Sequence, residues 1–245
     1  MNYFPSMSAY LETILNPDQP VLAVGPGVCI NRDDDDLYLP NENGLYLPMD
    51  IAILWFSEHL RGRNGRIDVF DLPEDIIGGT HAPSLVRGYL DGFTKRIDGA
   101  PLSLREGDIA SADMASEQYG LLWDHGTLSY ASEEGCKYIR QRETAILDNY
   151  FRMTKPGGKI ILVENLHMGP YRGEEWWRQH PGISTQEVKV KADAYKTSLT
   201  GRDISGVDDF LSDGVDDFLS EYLDKGFLIP YYQLTHVTEI TKKEG

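Results

Sequence analysis

Lys155-Pro156-Gly157-Gly158-Lys159-Ile160-Ile161-Leu162-Val163-Glu164 is the stretch that decides the fold. Pro-Gly-Gly punctuates the chain as a turn. The unbroken apolar run Ile160–Val163 then predicts a strand buried on both faces, as in a parallel sheet. Just upstream, Ile139, Ile146, Leu147, Tyr150 and Phe151 recur at helical spacing. The unit is helix, turn, buried strand, and the pattern extends in both directions. Val21–Val24, Ile67–Asp71, Leu102–Leu104 and Tyr119–Asp124 are further strand-like runs. Between them, Ile51, Leu54, Trp55 and Leu60 share a helical face, with Pro48 at an early helical position. Leu85, Val86, Tyr89, Leu90, Phe93 and Ile97 form another apolar stripe. Strands alternating with helices predict right-handed βαβ units and a mostly parallel sheet. Phe227–Ile229 and Leu234–Ile240 close the chain across a Pro230-Tyr231-Tyr232 break, which predicts an antiparallel pair at one side of the sheet.

Two stretches interrupt the alternation. One is 29–47, which carries Arg32-Asp33-Asp34-Asp35-Asp36; the other is 166–203, which carries Trp176-Trp177. Long irregular insertions in compact domains serve as lids or binding loops, or simply cover core. A short tandem repeat, Gly206–Ser212 and again Gly214–Ser220, has a period near two helical turns and reads as one amphipathic helix with solvated aspartates.

Composition narrows the function classes. Of 245 residues, 39 are acidic and 23 basic, a net charge of −16. Such a chain repels phosphate backbones and anionic membranes, so neither nucleic acid nor membrane is an expected partner. The longest apolar run, Ile51–Phe56, is far short of the roughly 20 residues a span needs. No signal peptide is expected from Met1-Asn2-Tyr3-Phe4-Pro5, and the two cysteines, Cys29 and Cys136, read as reduced thiols of a cytoplasmic protein. Without CxxC or HxxxH spacing, no metal site is expected.

The candidate chemistry sits at strand ends. Gly25-Pro26-Gly27 after the first strand lets a ligand approach the backbone, or serves as a tight turn needing positive φ. Asp71 ends the second strand, where a carboxylate accepts both ribose hydroxyls of a nucleoside; Asp71-Leu72-Pro73-Glu74 also reads as a helix start. Arg105-Glu106-Gly107-Asp108-Ile109 follows the third strand, and Asp108 is placed to meet an adenine amino group. Trp123-Asp124-His125-Gly126-Thr127 ends the fourth and aims a carboxylate and an imidazole into the same cleft.

Taken in this order, these motifs resemble the class I S-adenosylmethionine-dependent methyltransferases, over about residues 20–165 with a tail to 241. The Lys-Pro-Gly-Gly turn before the fifth strand is the most telling piece. The resemblance implies a Rossmann-like, doubly wound α/β fold: a mostly parallel seven-stranded sheet with an antiparallel C-terminal strand pair and two loop insertions, in a single domain over 1–245. It implies S-adenosyl-L-methionine as cofactor, held by Gly25, Pro26, Gly27, Asp71, Leu72, Asp108, Ile109 and Asp124. The chain departs from the family at two places. Ala23 stands where an acidic residue two before the first glycine helps fix the cofactor's amino-acid end, and Cys29 stands at the third glycine.

Methyl transfer asks a protein mainly to align two reactants. A general base is needed only when the nucleophile carries a proton at neutral pH. His125 is the first candidate for that base or for a substrate ligand, with His167 second; a lone histidine is more often structural than catalytic. Tyr130, Trp176 and Trp177 are candidates to stack on a flat or cationic small-molecule substrate, or to anchor core or lid. Two other readings stay open. One is a nicotinamide-dependent oxidoreductase, though Gly25-Pro26-Gly27-Val28-Cys29 lacks the full GxGxxG. The other is a catalytically inactive methyltransferase-like binding subunit.

Overall fold

The computed structural model describes residues 7–25, 45–46, 52–71, 99–100, 102–125, 127–128, 139–164, 186–192, 227–228 and 236–244. Seven strands form one sheet: β1 (Val21–Val24), β2 (Ile67–Asp71), β3 (Leu102–Glu106), β4 (Tyr119–His125), β5 (Thr154–Glu164), β6 (Glu187–Ala192) and β7 (His236–Thr241). Their order across the sheet is β3-β2-β1-β4-β5-β7-β6. β1 through β5 pair in parallel, whereas β7 runs antiparallel to both β5 and β6. The described helices are α1 (Met7–Ile14), α2 (Ala52–Leu60) and α3 (Ile139–Met153).

The sheet is covered on both faces, as uninterrupted apolar strands require. One face carries Leu22, Val24, Phe70, Leu122, Ile160, Leu162 and Ile240, packed with Ile146, Leu147, Tyr150 and Met153 of α3. Those α3 residues recur at i, i+1, i+4 and i+7, a single helical stripe. On the other face, α2 sets Phe56 edge-on against Trp123 of β4, with ring centroids 5.6 Å apart at 78°. Successive helices on opposite faces of a parallel sheet make the fold doubly wound.

The sequence reading needs correction at the C-terminal pair. Leu234–Ile240 was expected to pair with Phe227–Ile229. Instead Phe227–Leu228 pairs in parallel with Leu45–Tyr46 in a separate two-stranded sheet. β7 sits between β5 and Glu187–Ala192, a strand inside the expected 166–203 insertion. A strand flanked on both sides explains why Val237, Thr238, Glu239 and Ile240 are all buried. α1 was not anticipated either; it buries Tyr10, Leu11 and Ile14. The helices expected around 85–97 and 206–223 lie outside the described residues, as do Pro48 and the tetra-aspartate run.

β5 begins earlier than the apolar run. Thr154 pairs with Tyr119, and the next partners are Lys159 and Leu121, so Lys155–Gly158 bulge out of the ladder. Gly157 makes the bulge feasible with φ of 74°, a left-handed conformation. The tail of β7 then closes it: Gly157 N–H donates to Lys242 O at 2.8 Å and Lys242 N–H to Gly158 O at 2.9 Å. The Lys242 ammonium donates to Phe151 O (2.9 Å) and Thr154 O (2.8 Å), satisfying carbonyls at the C-terminal end of α3, where the helix dipole favours a cation. Lys242→Met, which keeps the stem and removes these bonds, is expected to lower unfolding free energy by about 1–2 kcal/mol. Urea denaturation checks this.

Candidate functional site

Parallel strands that leave for opposite faces open a gap between their carboxyl ends. Here that point lies between β1, whose chain continues toward α2, and β4, whose chain continues toward α3. A shallow crevice, open to solvent, lies at this end of the sheet. Val24 and Gly25 of the β1 tip, Phe70 and Asp71 of the β2 tip, Gly107 and Ile109 after β3, and Thr127 after β4 line it. Of the four strand-tip residues expected to converge, Gly25 and Asp71 line it and Asp108 and Asp124 do not; Ile109, named beside Asp108, lines it as well.

Gly25 brings backbone to the crevice wall. Its φ is 63°, and a Cβ placed on it would lie 2.0 Å from Thr127 Oγ1, so only glycine fits there. Its N–H donates to Phe70 O at 2.9 Å. The next tip is tied in the same way, with Gly107 N–H donating to Asp71 O at 2.9 Å. Asp71, 8% exposed, therefore stands at the mouth on a backbone fixed from both sides.

The other two acidic tips are engaged by the protein itself. Asp108 does not line the crevice. It forms an ion pair with Arg142 of α3 and accepts from Ala110 N at 3.0 Å, so its carboxylate shapes the turn that presents Ile109. Asp124, expected among the cofactor ligands, is turned inward and 1% exposed. Its Oδ1 accepts from Thr127 N at 2.7 Å; its Oδ2 accepts from Leu128 N at 3.1 Å and from the Tyr150 hydroxyl at 2.9 Å. This is the bonding of a helix cap. Burial pushes the Asp124 carboxyl up from 3.8 to about 6, against the opposing pull of Tyr150, Thr127 and Leu128. Burial and the adjacent Asp124 push the Tyr150 phenol well above its ordinary value. Asp124 acts on the crevice through Thr127, whose position it holds.

His125 is the last residue of β4, paired with Val163, which places its backbone at the crevice end of the sheet. Pro26, Gly27, Leu72, Tyr130, His167, Trp176 and Trp177 lie outside the described residues. Among the described residues, no group of three or more His, Cys, Asp or Glu is placed to hold a metal ion, and no helix is long and apolar enough to cross a membrane. Four lining residues, Val24, Phe70, Gly107 and Thr127, were not named as site residues from sequence. Asp124-x-x-Thr127 carries the spacing of a capping residue and its N3 partner, which was the available signal.

No family model matches the chain, and no curated protein matches it in sequence. Among solved structures it is similar to a putative methyltransferase from Bacillus halodurans, with 12% identity over 97% of this chain and 99% of that one, TM-score 0.49. It is also similar to phosphoethanolamine N-methyltransferase 2 of Haemonchus contortus in complex with S-adenosyl-L-methionine, at 9% identity and TM-score 0.49. That match covers all of this chain but 55% of the Haemonchus protein, so the chain spans about half the length of that relative. A TehB-like S-adenosylmethionine-dependent methyltransferase from Corynebacterium glutamicum matches at 11% identity over 98% of this chain and 89% of that one, TM-score 0.48.

The Asp124 cap sets a pH dependence. A folded-state pKa raised from 3.8 to about 6 means the neutral carboxyl contributes stability that is full below pH 3.8 and lost as pH rises through 6. The loss is on the order of 3 kcal/mol. Asp124→Asn has no such titration, so its stability is expected to be flatter from pH 4 to 6.5 while the parent falls. Urea midpoints across that range test this; parallel curves refute it.

Proposed function

We propose that the chain is an S-adenosyl-L-methionine-dependent methyltransferase acting on a small molecule, with the crevice holding the adenosine part of the cofactor. The observation that supports it is the convergence of Gly25, Asp71 and Ile109 on one opening at the reversal of strand order. The residues present fit a nucleoside. Gly25, in a left-handed conformation against Thr127, brings backbone rather than a side chain to the lining. Asp71 offers a carboxylate to two ribose hydroxyls. Val24, Phe70 and Ile109 supply apolar walls for a flat base. The antiparallel β7 between β5 and β6 departs from the all-parallel order 3-2-1-4-5-6 of nicotinamide-binding folds.

The amino-acid end of the cofactor is held differently from the family pattern. Ala23 is fully buried in the sheet between Val69 and Trp123. The Trp123 indole, also fully buried, fills this layer, and an acidic side chain at 23 would be a buried charge beside it.

When bound, S-adenosylmethionine supplies an electrophilic methyl on a sulfonium that departs as a neutral thioether. The chain's own contribution is alignment, which is worth up to about 7–11 kcal/mol. Gly25 and Asp71 fix the nucleoside, and His125 at the end of β4 accepts the proton of a hydroxyl-type acceptor. Tyr130, His167, Trp176 and Trp177 stand as substrate-side residues, in a single cytoplasmic domain.

Calorimetric titration with S-adenosylmethionine, S-adenosylhomocysteine and NADH tests the reading. Binding of the first two alone is expected; binding of NADH alone transfers the site to a nicotinamide enzyme, and no binding leaves a non-enzymatic subunit. Asp71→Ala is expected to weaken S-adenosylhomocysteine binding about tenfold or more, since charged hydrogen bonds contribute about 1.5–3 kcal/mol each. His125→Ala is expected to lower turnover with cofactor affinity nearly unchanged; full activity removes it as the base.

A further inference from the structure

The crevice is bounded by segments after β3 and β4, which lie three strand spacings apart across β2 and β1, about 14 Å. At its start the segment after β3 is tied to β2 by the Gly107–Asp71 backbone bond and to α3 by the Asp108–Arg142 ion pair; beyond Asp108 both segments leave the sheet ladder and are reached by side chains of α3. Two consecutive residues of the helix supply these. The Asn149 amide NH2 donates to Ile109 O at 2.8 Å and to Ala110 O at 3.0 Å. The Tyr150 hydroxyl donates to Asp124 Oδ2, whose carboxylate in turn accepts from Thr127 N and Leu128 N. Neighbouring residues on a helix project about 100° apart, which is how one short stretch reaches two separated segments.

The Asn149 side chain is itself oriented. Its Oδ1 accepts from Arg152 Nε at 3.2 Å and from an Arg152 terminal nitrogen at 3.0 Å. The same guanidinium donates to Ala112 O at 2.8 Å and to Met114 O. The flipped amide would face its NH2 to a guanidinium and its oxygen to two carbonyls, so only one orientation satisfies the set. Tyr150 is fully buried and Asn149 partly so. α3 is packed on the sheet through Ile146, Leu147, Tyr150 and Met153, which makes it a rigid base for both ties.

We propose that Asn149 and Tyr150 are positioning residues that set the width of the crevice, Asn149 holding the Ile109 side and Tyr150, through Asp124, the Thr127 side. They thereby determine which purines fit. This specificity claim rests on the crevice being a nucleoside slot; the mechanical claim does not.

Two measurements on Asn149→Ala and Tyr150→Phe test it. Without ligand, amide hydrogen exchange is expected to rise about tenfold at 109–114 in Asn149→Ala and at 127–128 in Tyr150→Phe, with β1 and β4 unchanged. Exchange that is unaltered, or that rises evenly through the sheet, overturns the proposal. With ligand, the parent is expected to prefer S-adenosylhomocysteine over its analogue carrying a benzyl group on the purine, and each variant to narrow that ratio about fivefold. General loss of stability would not move the ratio, and an unchanged ratio overturns the specificity claim. If the parent binds neither compound, the proposed function and the specificity claim fall together, and the exchange result alone decides the mechanical one.

Discussion

The pairing of β1 with β4 is the constraint on which the rest depends. Val21–Val24 lies in register with Leu121–Asp124 as a parallel ladder, although nearly a hundred residues separate them in the chain. Once the two are side by side, right-handed crossovers send their continuations to opposite faces. The carboxyl ends are then left without a covering helix between them. Everything at the site follows from that opening: a left-handed glycine on one tip, a capped turn on the other, and acidic and apolar residues of the flanking strands around them.

Two of the acidic groups around this opening, buried Asp124 and part-buried Asp108, are engaged by the protein that forms it. Asp124 spends its carboxylate on two amides and a phenol, and Asp108 on an arginine and an amide. In a dry interior an acceptor left unmade is costly, so such residues are recruited to hold loops before they are free to hold ligands. A similar arrangement stands toward the other end of the strands, where Tyr119 donates to the buried Asp68 at 2.6 Å while Arg66 and Arg105 approach it from the surface. Burial and the Asp68 carboxylate both raise the Tyr119 phenol above its ordinary range.

Much of the architecture was legible because buried parallel strands are written as apolar runs. Ile160–Val163 and Val21–Val24 carry that signal without interruption, and Ile67–Asp71 carries it around the buried Asp68. β6 was passed over although Glu187-Val188-Lys189-Val190-Lys191-Ala192 alternates cleanly, because it lies within a long stretch otherwise poor in pattern. The partner of β7 was misread because adjacency in sequence argued for Phe227–Ile229, while the sheet selects partners by tertiary packing. That Gly25 and Asp71 stand at the crevice was readable from their place at strand ends. The role of Asp124 was not, since a strand-end carboxylate has the same sequence signature whether it caps a helix or meets a ligand. Asn149 and Arg152 left no signal, because polar residues on a helix flank read as solvated until the loop they grip is known.

The edge of the sheet at β3 has a consequence of its own. Among the described strands β3 has a neighbour on one side only, and Ser103, Arg105 and Glu106 along it are exposed. A bare strand is a template on which another chain can add itself, and flat apolar edges invite fibrillar growth. Alternating sign along Arg105 and Glu106 makes such addition unfavourable unless the incoming strand matches the charges. The margin is thus protected from self-association by the same short polar segment that leads into the crevice.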